Sequence, residues 1–299
     1  MQVGVMQLFT TAEAAAYLRL KERKIYEMVA EGAVPCTKIT GRWLFPKAEL
    51  DHWLASSISR PDGITRPDAA PIVSGSHDPL LEWALRESGS GLATLALGSE
   101  AGFTRFCNGE TIAAAIHLHT IDDVDADANI AALQNRNDLQ DAVMIAFCRR
   151  EEGLLLSNGN PLKLRSIDDV SNKRARIAMR PKGAGAQLLL LALLHQAKIS
   201  LDELTAVAPV CPTGPDIAQA IRAGRADTGI ATRAVANAAG LDFIPIAWEP
   251  FDLVMRQRDY FHPPLQALLK FLHKQELAAR ARELGGYDLA TSGSVRFVN

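Results

Sequence analysis

The sequence predicts an α/β protein in two parts, a small winged helix-turn-helix at the N-terminus and a larger sheet domain behind it. Three observations carry that prediction. Residues 1–55 hold two short helical patterns, a glycine-broken β pair and a last helical stretch. Residues 56–70, SSISRPDGITRPDAA, are rich in Ser, Pro, Gly and Asp and offer no apolar face to bury, which is linker chemistry. From residue 71 onward an apolar strand, a small-residue loop and a helix follow one another four times. The predicted domains are 1–55, a linker over 56–70, and 71–299.

The N-terminal elements follow in order. Thr11 offers a hydroxyl to the free N–H groups of a first helical turn, and Ala12, Ala15 and Leu18 then share one face, with Leu20 as the end. A second helix runs from Lys21 to Glu31 and stops at Gly32. Its apolar face is Ile25, Met28 and Val29, and its other side presents Arg23, Lys24, Tyr26 and Glu27. Two short helices joined by about three residues have helix-turn-helix spacing. Thr37, Ile39, Trp43 and Phe45 favour strand on either side of Thr40-Gly41, so this stretch reads as a wing carrying Lys38, with Arg42 near its tip. Pro46 opens a last helix with Leu50, Trp53 and Leu54 facing inward.

The run TTAEAAAYLRLKERKIYEMVAEGAVPCTKITGRWLFPKAELDHWL, Thr10 to Leu54, resembles the excisionase-like, MerR-related winged helix-turn-helix family in its AAAYL, IYEMVAEG, GRW and LDHWL segments. The resemblance implies a DNA-binding module. The helix from Lys21 would enter the major groove, where Lys21, Arg23, Lys24 and Tyr26 meet phosphates and base edges. Lys38 and Arg42 would reach the backbone or minor groove from the wing. The window has seven basic residues (Arg19, Lys21, Arg23, Lys24, Lys38, Arg42, Lys47) against six acidic ones (Glu13, Glu22, Glu27, Glu31, Glu49, Asp51). So small a surplus neutralises few phosphates, and a homodimer or higher homo-oligomer on two half-sites of double-stranded DNA is expected. The other use open to the module is protein contact.

In the larger domain, PIVSGSHDPLLEWAL places a short apolar strand before Ser74-Gly75-Ser76, with Asp78-Pro79 opening a helix. Leu92–Leu97 leads into Gly98-Ser99 and a helix from Glu100. Ile177–Met179 leads through Arg180–Ala184 into a long helix, and Pro212-Thr213-Gly214-Pro215 precedes a fourth from about Asp216. Such loops lie at strand C-termini, where exposed amides and helix N-termini favour an anion. His117 and His119, two apart in AAAIHLHT, fall on one strand face; a zinc pair, a hydrogen-bonding role in the cleft and plain structure are all open for them, and no third metal ligand is evident nearby. Asp227 reads as a structural loop acid. Leu265, Leu268, Leu269 and Leu272 form a helical stripe that suits core packing or a subunit interface.

The segments SGSHDPLLEWAL, ALGSEAGFTRFCNGETIAAAIHL, GAGAQLLLLALL, AIRAGRADTGIATRAVANAAGLDFIPI, FDLVM and LGGYD resemble the periplasmic-binding-protein-like domain found behind helix-turn-helix modules in bacterial regulators. That resemblance covers residues 71–299 and implies two α/β lobes around a ligand, with lobe exchange near Leu155–Leu164 and again near Ala247–Leu253. The implied ligand is a small oxyanion, molybdate or tungstate, with a carboxylate or other anionic metabolite as the substitute. Ser74, Ser76 and His77 match the first ligand loop, Ser99 the second, and Arg180 through Gln187 the third, so Arg180, Lys182, Gly185 and Ala186 are ligand candidates with His117 and Thr213. GAGA at Gly183–Ala186 offers amides where relatives carry hydroxyls. Ser74 and Ser76 could instead cap the next helix, and Lys182 could be a solvated charge.

Composition excludes other classes. A formal net charge of −2 supplies no global field for nucleic acid, so DNA binding must be local. Four scattered cysteines without a C-x-x-C pair read as reduced thiols. The N-terminus lacks a secretory pattern and Leu188–Leu194 is too short to span a bilayer, so a cytoplasmic protein without membrane association is expected. No G-x-S-x-G, H-E-x-x-H, P-loop or G-x-G-x-x-G opening a helix is present, which points away from an enzyme and from a bound cofactor.

Overall fold

The computed structural model describes residues 7–39, 41–56, 69–120, 127–134, 136 and 139–298. Thr40 and linker residues 57–68 lie outside them. The chain divides into two compact units near residue 68.

The first unit contains β1 (Leu8–Thr10), α1 (Thr11–Leu18), α2 (Glu22–Ala30), β2 (Thr37–Ile39), β3 (Arg42–Pro46) and α3 (Lys47–Ser56). The α1 cap is Thr10, one residue earlier than expected. Glu13 decides this: its carboxylate accepts from the Thr10 N–H at 2.7 Å while the Thr10 hydroxyl accepts from the Glu13 N–H, a reciprocal pair that needs a spacing of three. The helix stops at Leu18, not Leu20, because Arg19 turns left-handed at φ 54°. The strand β1 was not expected. It pairs antiparallel with β3, which pairs with β2, in the order β1-β3-β2. Pro46 ends β3 rather than opening a helix. Ala14, Ala15, Ile25, Val34, Phe45 and Leu50 form the core, with Met28 and Val29 packed against it. So small a core covers Leu50 but leaves Leu54, expected inside, exposed.

The second unit begins with β4 (Ala70–Gly75), α4 (Pro79–Glu87), β5 (Ala93–Ala96), α5 (Ser99–Cys107), β6 (Thr111–Ile116) and α6 (Ala128–Gln134). It continues through β7 (Ala142–Leu156), α7 (Ile167–Asn172), β8 (Arg176–Ala178), α8 (Gly185–Ala197), β9 (Thr205–Val207), α9 (Gly214–Arg222), β10 (Thr228–Thr232), α10 (Arg233–Ala239) and β11 (Asp242–Arg256). It closes with α11 (Gln257–Tyr260), α12 (Pro263–Phe271), α13 (Gln275–Leu284), β12 (Tyr287–Asp288) and β13 (Val295–Val298).

One sheet joins these strands in the order β5-β4-β6-β11-β7-β10-β8-β9, with β12 and β13 also paired to β7. The strands β4, β5 and β6 run parallel in the first lobe, and β8, β9 and β10 in the second. Each lobe packs helices on both faces of its sheet, as parallel strands require. The first lobe has one core around Val73, Ile145, Leu253 and Leu268 and another around Phe106, Ile116 and Val254. The second has cores around Ile177, Leu189 and Ile230 and around Leu155, Ile217 and Val235. The leucine stripe of α12 belongs to the first-lobe core, where burying each side chain contributes about 1.5–3 kcal/mol.

Among the described residues, only β7 and β11, 15 residues each, run through both lobes. The end of β11, Asp252–Met255, pairs with β6 in the first lobe, while the end of β7, Glu152–Leu156, pairs with β10 in the second. The first crossing therefore lies near Arg149–Glu152, earlier in the chain than the expected Leu155–Leu164, because β7 continues unbroken through RREE. The second, at Ala247–Phe251, agrees with the expected stretch. Asp227 accepts a two-pronged bond from Arg176 and ties β8 to the turn before β10.

Candidate functional site: a charged cleft between two lobes, and a basic helix face

The first lobe's loop after β4 is shaped by Gly75. At φ +120° a side chain there is strained, and its Cβ would lie 2.1 Å from the Ala115 carbonyl oxygen. The turn lets the Ser76 N–H donate to Ala115 and the Gly75 carbonyl accept from Leu97 and Gly98. Asp78 then caps α4, accepting from the Leu80 and Leu81 N–H groups at 3.0 and 2.9 Å. Ser74 does not reach the cleft. It is buried, and its hydroxyl is 2.8 Å from both the Gly102 carbonyl and the Thr111 hydroxyl, so its role is to fasten β4 to α5 and β6.

Ser76 does reach it. Its hydroxyl is 2.8 Å from that of Ser99, which in turn holds the His117 backbone from both sides, at 2.9 and 3.1 Å. His117 and His119 follow β6 rather than lying within it, and both face Glu249. His119 Nε2 is 2.7 Å from one carboxylate oxygen, and His117 Nε2 is 3.7 Å from the other.

At the centre stands Arg150, whose side chain is 1% exposed. Its Nη1 donates to Asp78 Oδ2 at 3.0 Å, its Nε to Glu249 Oε1 at 2.8 Å, and its Nη2 to His117 Nδ1 at 2.6 Å. Glu152 Oε1 lies 3.5 Å from Nη2, and the guanidinium carbon sits 4.1 Å from the centre of the Phe251 ring. Burial opposes this charge, but Glu249, Asp78 and Glu152 raise the arginine well above its ordinary value. A guanidinium cannot accept a hydrogen bond, so Nδ1 of His117 is the acceptor and the ring proton sits on Nε2. Burial, then Arg150, pulls His117 well below the ordinary imidazole value, which keeps the ring neutral.

Two carboxyls share the remaining wall. Burial works against the charge on Glu249, but the Arg150 guanidinium and the hydrogen bond from His119 outweigh it and hold the group below the ordinary carboxylate range. Burial and the Glu249 charge push Glu152 well above that range. The pair thus keeps one charge and one proton. His117, Glu152 and Glu249 also bring ligand-type atoms within 4.8 Å of one another. The third ligand type that the sequence did not reveal for the histidines is therefore present, but the Arg150 cation already serves Glu249 and His117.

From the second lobe, Arg180 brings a largely buried side chain, and its backbone N–H donates to Gln187. Burial lowers its value, and the nearby Glu152 works the other way. Gly185, the first residue of α8, leaves room for His117: a Cβ would fall 2.1 Å from His117 Nε2 and 2.3 Å from its carbonyl oxygen. The Glu100 N–H donates to Gly183 across the cleft at 3.1 Å. Ala186, Gly214 and Thr232 bring the first turns of α8 and α9 and the cap of α10 to the same space as Ser76, His77, His117, Arg150, Glu152 and Arg180. That space narrows to about 20 Å³. Two expected ligand residues stand apart. Lys182 is exposed on the turn before α8, and the Thr213 hydroxyl donates to Asp216 at 2.6 Å as part of the α9 cap.

Arg150, Glu152 and Glu249 were not singled out in the sequence. Their signal was the charged run RREE between AVMIAFC and GLLL, together with a lone Glu before Pro250 in the partner strand. A charge inside a buried strand needs partners.

In the N-terminal unit the basic side chains lie on the outer face of α2 and on the wing. Arg23 is 91% exposed, and Lys21, Lys24 and Tyr26 are exposed beside it. Glu27 lies 3.4 Å from both Arg23 and Lys24. Lys38 Nζ sits 5.1 Å from the centre of the Trp43 ring, and Arg42 is exposed at the start of β3.

The two lobes and the cleft between them define a ligand-binding fold, and residues 82–273 match the PBP superfamily domain. The chain belongs to the PBP superfamily. Residues 8–57 match a helix-turn-helix domain. These two domains point to DNA binding by the first unit and small-ligand binding by the second. An uncharacterised protein of Bacillus subtilis (strain 168), YvgK, is 23% identical over 305 residues, covering 96% of this chain and 97% of its own. An uncharacterised Clostridium pasteurianum protein encoded in the 5′ region of a 2Fe-2S ferredoxin gene is 28% identical over 80 residues, covering 26% of this chain and 71% of its own. Among solved structures, a putative phosphate transporter substrate-binding protein of Clostridium perfringens, with phosphate bound, superposes with a TM-score of 0.55 at 12% identity. That match covers 73% of this chain and 98% of the other and shows the shared fold. No helix among the described residues is long and apolar enough to cross a membrane.

Proposed function

We propose that the protein is a cytoplasmic, ligand-responsive transcriptional regulator, not an enzyme, working as a homodimer or higher homo-oligomer on double-stranded DNA. Its effector is a small oxyanion of the molybdate or tungstate kind, held between the lobes without a further cofactor. The observation that carries this reading is the convergence of hydrogen-bond donors on one cleft. Arg180, His117 and the first turns of α8 and α9 all line it. With a proton on Glu152, the side-chain charges there balance: Arg150 and Arg180 against Asp78 and Glu249. The amides at helix starts then supply the attraction for an anion. Ligand binding can alter DNA affinity only as far as the ligand distinguishes the conformations that bind DNA differently.

The test has two stages. Molybdate and tungstate should raise the melting temperature of the full chain, since a ligand of the native state stabilises it. The same anions should then change the mobility shift of DNA upstream of the protein's own gene at fixed salt. Stabilisation without any change in the shift would leave a binding protein but remove the regulator. A second reading has its own support: Glu27 screens Arg23 and Lys24 on α2, which suits a module that contacts protein, on a sensor for a carboxylate or other anionic metabolite. It predicts ligand binding with no DNA shift.

A further inference from the structure

Among the described residues, three side chains that line the cleft each carry a buried polar atom without a hydrogen-bond partner: His117 Nε2, Glu152 Oε2 and Arg180 Nε. Leaving such atoms unpaired is costly, and their presence in one small space points to a ligand that pairs them. Their chemistry differs. The contact between Arg150 and Nδ1 makes His117 Nε2 a donor, and Arg180 Nε is a donor under all ordinary conditions. Both suit an anionic oxygen. The helix α8 adds amides that no side chain caps. Glu152 is the exception. As a carboxylate, Oε2 would meet an oxyanion lone pair to lone pair, at the same wall as the charged Glu249. As a carboxylic acid it would be another donor.

An oxygen-to-oxygen contact of this kind closes only when one proton lies between the two groups. The proton comes either from Glu152 or from the ligand. Molybdate and tungstate carry none at neutral pH, whereas hydrogen phosphate carries one. We propose that Glu152 is the specificity-determining residue of the cleft and engages the anion as a neutral acid, so that a proton-free oxyanion binds with one proton held on Glu152. The proposal rests on the reading that the cleft binds a small oxyanion.

The groups facing Glu152 come from every side. Glu249 on β11 favours the proton, and Arg150 on β7 and Arg180 after β8 oppose it. His117 after β6 is neutral. Burial adds to the effect of Glu249, and the balance retains the proton above the ordinary carboxylate range. When pH exceeds the value at which free Glu152 ionises, each bound molybdate must bring a proton from solution. Its affinity then falls by about tenfold per pH unit.

Calorimetric titration of the full chain with sodium molybdate tests this, in phosphate-free buffers of different ionisation enthalpy, from neutrality upward so that imidazole titration stays outside the window. The expected result is an affinity that declines with pH, accompanied by uptake approaching one proton per ligand. The Glu152→Gln variant keeps a donor at the same position, so it should bind molybdate within about threefold of the wild-type value at neutral pH and show no decline. Inorganic phosphate and tungstate are titrated in parallel. Molybdate binding that is independent of pH and abolished in Glu152→Gln would overturn the proposal, because it would make Glu152 a charged acceptor. Binding of phosphate with exclusion of molybdate and tungstate would also overturn it, by making the ligand the proton's source, while the oxyanion reading survived. Failure of all three anions to bind or to raise the melting temperature would sink both together.

Discussion

The face of α2 and the cleft between the lobes use the same residue types in opposite ways. On α2, Arg23 and Lys24 each share Glu27 at 3.4 Å with water around them. Such pairs contribute about 0–1 kcal/mol and open readily, so the cations remain free for phosphate. In the cleft, Arg150 donates to Asp78, Glu249 and His117 with almost no solvent contact. There the cost of removing charge from water is offset only while all partners are present. Charge on α2 is loosely held and open to water, whereas charge in the cleft is part of the architecture that shapes the cleft.

The sharpest way to break this contrast is Arg150→Met. It leaves Asp78 and Glu249 buried without their cation, and unfolding in denaturant should show a loss of about 3–5 kcal/mol. A loss below about 1 kcal/mol would mean that the cleft charges behave like surface ones. Next in size is Gly185→Ala. Its methyl would collide with the ring and backbone of His117, so the lobes must part locally. Ligand affinity should fall by about tenfold or more, or about 1.4 kcal/mol, and the melting temperature of the free protein should fall as well; unaltered affinity would show that close approach of α8 to His117 is dispensable. The smallest effect belongs to the exposed side. Arg23→Ala should weaken DNA binding a few-fold, reduce the slope of log affinity against log salt by about 1, and leave ligand binding untouched. An unchanged slope would remove Arg23 from the DNA contact.

The same contrast governs what could be read in advance. The two helices around Ile25, Met28 and Val29, the wing and the strand-loop-helix units were legible because apolar spacing is local and repeats with the period of the element. The short strand β1 was not, because three residues hold no period and its pairing partner lies some 36 positions away at Phe45. In the cleft, loops announced by Gly and Ser drew attention to Ser76, Ser99 and Gly185, yet the same signal also drew in Ser74, whose hydroxyl faces the interior. A sequence does not reveal which way a loop hydroxyl turns. Arg150, Glu152 and Glu249 escaped because their meaning is relational: Arg150 lies opposite Glu249 only through the register of two strands about a hundred residues apart.

That register has a further mechanical meaning. The strands β7 and β11 run through both lobes, and β-bulge irregularities at Pro245/Ala247 and Phe251/Asp252 lie on either side of the Arg150–Glu249 pair. A ribbon of two hydrogen-bonded strands twists and flexes at low cost, but sliding one strand along the other would break its whole ladder. The ladder thus resists slipping of one lobe past the other more than it resists bending between them. Arg150 and Glu249 stand opposite each other on this ribbon between the lobes, with His117 on the first-lobe side and Arg180 on the second.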